Sequence, residues 1–305
     1  MSKAKKTKSN NEFSDAVSLM THQQSSKLDQ ILTMFPFNIF NPVPTVAVIR
    51  LGGVIGKVGM RGGMSIESLN DSIERAFKKQ KLLAVCLVIN SPGGSPVQSD
   101  LITTRIRSLA EEKDVPVYSF VEDMAASGGY WIACAGDEIY ASRSSVIGSV
   151  GVVSSGFGFQ EAIEKLGIER RVYTEGKNKS VLDPFEPAKA ADIKIIKNLQ
   201  KNIHQHFVDH IKSRRKSKLT QSDDVLFNGE FWTAETAVDF GLIDGINNMY
   251  SFIKERFGDE AKISYVNPKE SWFKKKLGIE IDANQFVSDT LSALKSEVKN
   301  QKFDM

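Results

Sequence analysis

The sequence predicts an α/β fold, and three observations carry the prediction. Apolar runs such as "TVAVIRL" (45–51) and "LLAVCLVIN" (82–90) lack the polar alternation of a half-exposed strand, as strands covered by helices on both faces require. Between the runs lie segments whose apolar residues recur at helical spacing. The connections are short, which suits right-handed crossovers between parallel strands.

Taken in order, 45–51 is the first strand. "SIESLNDSIERAFKK" then places Ile66, Leu69, Ile73, Ala76 and Phe77 on one helical face, and 82–90 is the second strand. The unit repeats: "VQSDLITTRIRSLAEEK" is a helix, "VPVYSFV" (115–121) a strand, "SGGYWIACAG" a short helix, "EIYAS" a strand and "SVIGSVGVV" another. Beyond them "FQEAIEKLG" reads as a helix, "ERRVYTE" as a strand, and a long helical pattern runs from 188 to about 215. A further helix, 233–240, ends at Gly241, a suitable C-cap.

The flanks differ in composition. Residues 1–28 are rich in Lys, Ser, Asn and Gln and read as a disordered basic tail. Residues 29–44 are apolar but broken by Asn and Pro. They suit packing on the core or on another subunit, or a peripheral membrane contact, and are too interrupted to cross a bilayer. The main domain spans 45–250, and 251–305 reads as a helical extension whose amphipathic stretches, 269–301, suit an oligomer contact.

At 305 residues the chain has room for one large α/β domain with tails. The net charge of +3 is small, and the basic runs "SKAKKTK" and "KSRRKSK" (212–218) read as a solvated tail and a solvated helix end; nucleic acid is not implied. Cys86 and Cys134 sit among apolar neighbours without metal or redox spacing, as buried small hydrophobes do. The first thirty residues lack the apolar core of an export signal, which places the expected location in the cytoplasm or at the inner face of a membrane. No metal or cofactor is expected.

The candidate chemistry centres on "VEDMAASGGYWIACAGDEIYAS", 121–142, where Ser127 stands between a strand and a helix. A serine there is commonly an N-cap. It also suits a nucleophile, because its own N–H and that of Gly128 lack intrahelical partners and can face a developing negative charge. A second glycine pair, Gly93 and Gly94 in "LVINSPGGSPV", follows the end of the 82–90 strand, where open α/β sheets place their sites. Two such turns at one sheet edge can aim two backbone N–H groups at one oxygen.

A serine nucleophile needs a base. His22 lies in the tail; His204, His206 and His210 lie on the long helix, with His206 and His210 one turn apart, and read as exposed helix residues. Lysine serves as a base where burial disfavours its charge. Lys177 and Lys179 in "TEGKNKSVLDPFEP" are candidates that spacing does not separate.

With these residues in hand, the chain resembles the signal peptide peptidase A family of Ser-Lys proteases, including its SohB-like members. The resemblance rests on the ordered blocks "INSPGG", "DMAASGGYWIACAGDEIYA", "GSVGVV", "GKNKSVLDPF" and "WTAETAVDFGLID". It implies a Clp-protease/crotonase fold, a superhelical stack of β-β-α units. It makes Ser127 the nucleophile, Lys179 (five residues before Pro184-Phe185) the general base, and Ser149 the group that orients the lysine. Gly93, Gly94 and Gly128 become the oxyanion hole. Where family members often carry Asp after the base lysine, this chain has Ser180, with Asp183 further on. The implied function is serine endopeptidase action on signal-peptide remnants or other unfolded or short peptides, in a homo-oligomeric ring or dome. The alternatives are a catalytically silent peptide- or membrane-binding scaffold of the same fold, or a crotonase-like acyl-CoA enzyme.

Overall fold

The computed structural model describes residues 42–58, 61–215 and 217–266. The tail 1–28 with His22, nearly all of the segment 29–44, and the amphipathic stretches 269–301 lie outside the described residues.

Strands β1 (Thr45–Gly52), β4 (Leu82–Ser91) and β5 (Val117–Ala126) form the centre of a parallel sheet, and β2 (Lys57–Val58) and β3 (Arg61–Gly62) pair as a small hairpin beside it. The sheet runs β10 (Lys262–Tyr265), β1, β4, β5, β6 (Glu138–Ala141), β9 (Gly245–Ile246), with every neighbour on this path parallel. Val48, Cys86, Tyr118 and Glu138 stand in one register across it.

Both faces of the sheet are covered, which accounts for the uninterrupted apolar runs. Ala47, Ile49, Leu51, Val85, Leu87 and Ile89 point into a core shared with α1 (Ile66–Phe77), α2 (Pro96–Lys113), α3 (Gly128–Ala133) and α5 (Ala190–Arg215). Val46, Val48, Ala84, Cys86 and Val88 point the other way, against Met249, Phe252 and Ile253 of α8 (Met249–Phe257). Thus α8 and β10, the first part of the segment read as an extension, belong to the second core and the sheet edge. Each fully buried isoleucine of this kind contributes about 1.5–3 kcal/mol. The architecture is the α/β fold that the sequence predicts, a mainly parallel sheet with a core on each face.

Helix ends follow the sequence signals. Ser65 caps α1 by accepting from Ser68 N, Ser95 caps α2 ahead of Pro96, and Asn248 caps α8 through Ser251 N. The remaining elements are β7 (Val146–Gly148), α4 (Gln160–Lys165), α6 (Asp223–Leu226), β8 (Phe231–Thr233) and α7 (Ala234–Asp239).

Two expectations are corrected. "ERRVYTE" is not a strand but an exposed irregular stretch; a strand needs a neighbouring ladder, and its arginines pair instead with Asp183 and Glu169. The "KSRRKSK" run is not wholly solvated. Arg215 is 1% exposed, donating to Gly241 O and to Asp244 Oδ2. Arg214 donates to the carbonyls of Cys134 and Gly136 at the end of α3, a favourable place for a cation.

One feature of the sheet positions the site. β5 changes partner along its length, pairing with β6 at 118–121 and with β7 at 124–126. A register shift between Ile89 and Ser91 accompanies the change. Irregularities of this kind bend a strand and re-aim the residues at its end. Here they deliver Ser127 beside Gly148 at the end of β7.

Candidate active site

Ser127 joins β5 to α3 with φ 51° and ψ −124°, a sparsely populated conformation for a residue with a Cβ that costs about 1–3 kcal/mol. The surrounding bonds hold it there. Its N–H donates to Gly148 O at 2.8 Å, and its carbonyl accepts from Tyr130 N and Trp131 N. The N–H of Ser127 is therefore engaged, contrary to the expectation that it faces the substrate. Its half-buried hydroxyl makes no capping bond, so the local N-cap role does not occupy it.

The two glycine turns meet at this serine. A Cβ on Gly93 would lie 2.8 Å from Ala126 O, from Gly128 N and from Ser127 Cβ. A Cβ on Gly128 would stand 2.5 Å from Ser99 Oγ and 3.4 Å from Gly94 N. Gly94 is anchored by its neighbours, through Ile55 N to Gly93 O at 2.8 Å and Ser95 N to Ile55 O at 2.9 Å. Its own N–H, like that of Gly128, has no partner among the described residues. The Gly93 N–H is engaged, donating to Ser91 Oγ at 3.2 Å. Of the three expected donors, Gly94 and Gly128 hold the unpaired N–H groups.

Pattern reading passed over the residues that fix these turns. Ser91, fully buried, donates to Gly53 O at 2.7 Å while accepting from Gly93, linking β1 to the glycine turn. Asn90 Nδ2 donates to Asp123 Oδ2 at 2.5 Å, tying the strand that enters that turn to the strand that enters Ser127. Both lie inside the motif blocks already singled out, but sequence does not show which atoms they meet.

Ser149 follows β7 with φ 53°, its N–H donating to Glu230 O at 2.6 Å. It is half-buried, one residue beyond the glycine whose carbonyl receives Ser127 N–H. The structure thus gathers Ser127, Ser149, Gly93, Gly94 and Gly128 around the ends of β4, β5 and β7.

Lys179 and Lys177 are not gathered there. Both are exposed, on an arm that leaves the core after Val150. Lys179 N donates to Gly176 O at 3.1 Å, and no hydrogen bond joins its amine to Ser127 or Ser149. From 151 through 206 no residue is buried, although Phe157, Leu166, Ile168 and Tyr173 are apolar or aromatic and exposed by more than half. Asp183, downstream of Lys179, is held by Arg170. Its carboxyl lies below the usual range, first through the Phe185 N–H it accepts and then through Arg170.

The histidines depart from the exposed-helix reading. His206 is exposed, but His210 stacks on Trp131 with ring centroids 5.0 Å apart, its Nε2 3.1 Å from Trp131 O. Burial pushes its pKa down. His204 Nε2 lies 3.2 Å from Val150 O. The thiols of Cys86 and Cys134 are pushed up by burial to about 12 and about 11, as unreactive core cysteines are. Among the described residues no three of His, Cys, Asp and Glu cluster as a metal ion would need, and no helix is long and apolar enough to cross a membrane.

Comparison with known proteins bears on this arrangement. The model of peptidase family S49 matches residues 110–262, a span that holds Ser127, Ser149 and both candidate lysines. A protein named Na(+)/H(+) antiporter NhaA from Brucella melitensis is 50% identical over 248 residues, 80% of this chain and 34% of its own length. The chloroplastic serine protease SPPA of Arabidopsis thaliana is 32% identical over 212 residues, 67% of this chain and 31% of the relative. A putative signal peptide peptidase SppA of Enterococcus faecium is 27% identical over 257 residues, 81% of this chain and 74% of the relative. The chain spans about a third of the length of the first two.

Proposed function

That the chain belongs to peptidase family S49 is the premise from which we propose a serine endopeptidase that cleaves short or unfolded peptides, signal-peptide remnants among them, through an acyl-enzyme on Ser127. One observation carries the reading: a serine hydroxyl engaged in no capping bond stands beside the unpaired N–H groups of Gly94 and Gly128. That is the combination acyl transfer requires, a nucleophile next to donors for the oxygen that becomes negative.

In this mechanism Lys179 takes the Ser127 proton as Oγ attacks the peptide carbonyl. The N–H groups of Gly94 and Gly128 receive the oxyanion, and Gly93, bonded to Ser91, shapes the turn. Lys179 then returns the proton to the leaving amine, and water hydrolyses the ester. Ser149 orients the lysine amine. No metal or cofactor takes part.

The exposed arm supports assembly. Apolar side chains on a segment without buried residues are what a neighbouring surface covers, and in this reading the neighbour is another copy of the chain, in a homo-oligomeric ring or dome. Covering the arm takes Lys179 out of water, the condition in which a lysine amine acts as a base, and delivers it to a serine.

The test is hydrolysis of an unfolded protein and of apolar fluorogenic peptides by the wild type, Ser127→Ala and Lys179→Ala, with intact mass measured for an acyl adduct. Turnover in the wild type that disappears in both variants is expected. Absence of turnover and adduct in the assembled wild type would favour the silent scaffold, and activity surviving Ser127→Ala would remove serine catalysis.

A further inference from the structure

The arm has a defined root. The chain leaves the core after the buried Val150 and rejoins it at Phe207, which is buried and stacks on Trp131 at 4.9 Å between ring centroids. One turn before Phe207, His204 Nε2 meets Val150 O at 3.2 Å, a contact across 54 positions of sequence. A carbonyl oxygen only accepts, so Nε2 carries the hydrogen and donates.

The carbonyl belongs to the residue after Ser149. Around it, Ser149 N donates to Glu230 O at 2.6 Å and Gly151 N returns to Ser149 O at 3.0 Å. The imidazole therefore joins the segment that presents Ser149 to the helix that carries the far end of the arm. A small rotation at this root becomes a larger displacement further out, where Lys179 sits.

We propose that His204 is a positioning residue of the peptidase reaction: its bond to Val150 O fixes the root of the arm relative to Ser149, and so sets where the arm presents its lysine. The proposal rests on the peptidase reading for its catalytic consequence, while the fastening of the root stands apart from it.

The experiment compares wild type, His204→Ala and His204→Gln, with His206→Ala as an exposed control on the same helix, by amide hydrogen exchange and by peptide hydrolysis. His204→Ala is expected to speed exchange at Ser149 and Gly151 about tenfold. It should also lower kcat about tenfold with KM within about twofold. His204→Gln, whose side-chain amide can donate in place of Nε2–H, should recover most of both. Unchanged exchange and unchanged kcat in His204→Ala overturn the proposal and leave the peptidase reading intact. So does a glutamine variant that behaves like the alanine one while both lose exchange protection throughout the chain. If the wild type hydrolyses nothing, the peptidase reading fails, and exchange at Ser149 and Gly151 alone decides whether His204 fastens the root.

Discussion

Replacing Gly93 by alanine probes the contact between the two glycine turns without removing a hydrogen-bond donor, because alanine keeps the N–H that reaches Ser91 Oγ. The added Cβ would sit 2.8 Å from Ala126 O, Gly128 N and Ser127 Cβ, on a backbone at φ 100°. Carbon contacts are comfortable near ~3.5 Å, so the turns must separate by about 0.5–1 Å. A misplacement of about 1 Å at a reacting centre costs about 100-fold in rate, close to the effect of losing one oxyanion donor. Holding alanine at positive φ costs a further ~1–3 kcal/mol, or roughly 2–12 °C in Tm. The expected outcome is a kcat lower by about 100-fold with KM within about threefold, and slower labelling of Ser127 by a fluorophosphonate. Peptide hydrolysis, labelling kinetics and a thermal melt on one preparation read all three. A kcat within about threefold of wild type in a folded Gly93→Ala protein would refute the argument that turn spacing sets the anion site.

If the arm delivers Lys179 to another copy, mixing inactive Ser127→Ala with inactive Lys179→Ala should restore hydrolysis to about a quarter of the wild-type rate, the share of intact sites in random assembly; no recovery after subunit exchange would count against a shared site. Arg215→Ala should destabilise by about 2 kcal/mol, because it leaves the buried carbonyl of Gly241 without the guanidinium donors while Asp244 keeps Lys218 and the Ile139 N–H, and a melting midpoint within about 2 °C of wild type would contradict this. His210 faces Trp131, with Asp100 and Arg214 nearby, and burial holds its pKa below the ordinary 6.5. The unfolded chain then binds the proton more readily, so this contribution to stability is complete above about pH 6.5 and is lost as pH falls below it, by at most about 1.4 kcal/mol per pH unit. His210→Gln should flatten that slope in melts taken from pH 7 to 5, and an unchanged slope would show that His210 does not carry it.

Much of the sheet was legible because its cause is local. A strand covered on both faces is apolar nearly throughout, so 45–51, where only Arg50 is exposed, and 82–90 announced themselves, and so did α1 through its single apolar face. "ERRVYTE" had the local pattern but found no ladder beside it, since pairing depends on what the rest of the chain brings near. The basic run at 212–218 looked solvated until Asp244 and the carbonyl of Gly241 came to Arg215.

The site divides in the same way. The sequence by itself determined the chemical inventory: a serine at a strand-to-helix turn, two glycine pairs, two lysines in one loop and the family motifs that order them. Only the tertiary structure decided which of those groups are free to act. Ser127 N–H goes to Gly148, Gly93 N–H to Ser91, and Val150 O to His204, leaving the N–H groups of Gly94 and Gly128 without a partner among the described residues. Hydrogen-bond partners far apart along the chain are chosen by how strands register and bend, and a one-dimensional pattern carries no record of that choice. The exposed arm shows the same limit, because no local pattern tells that its apolar residues are left uncovered when this chain folds.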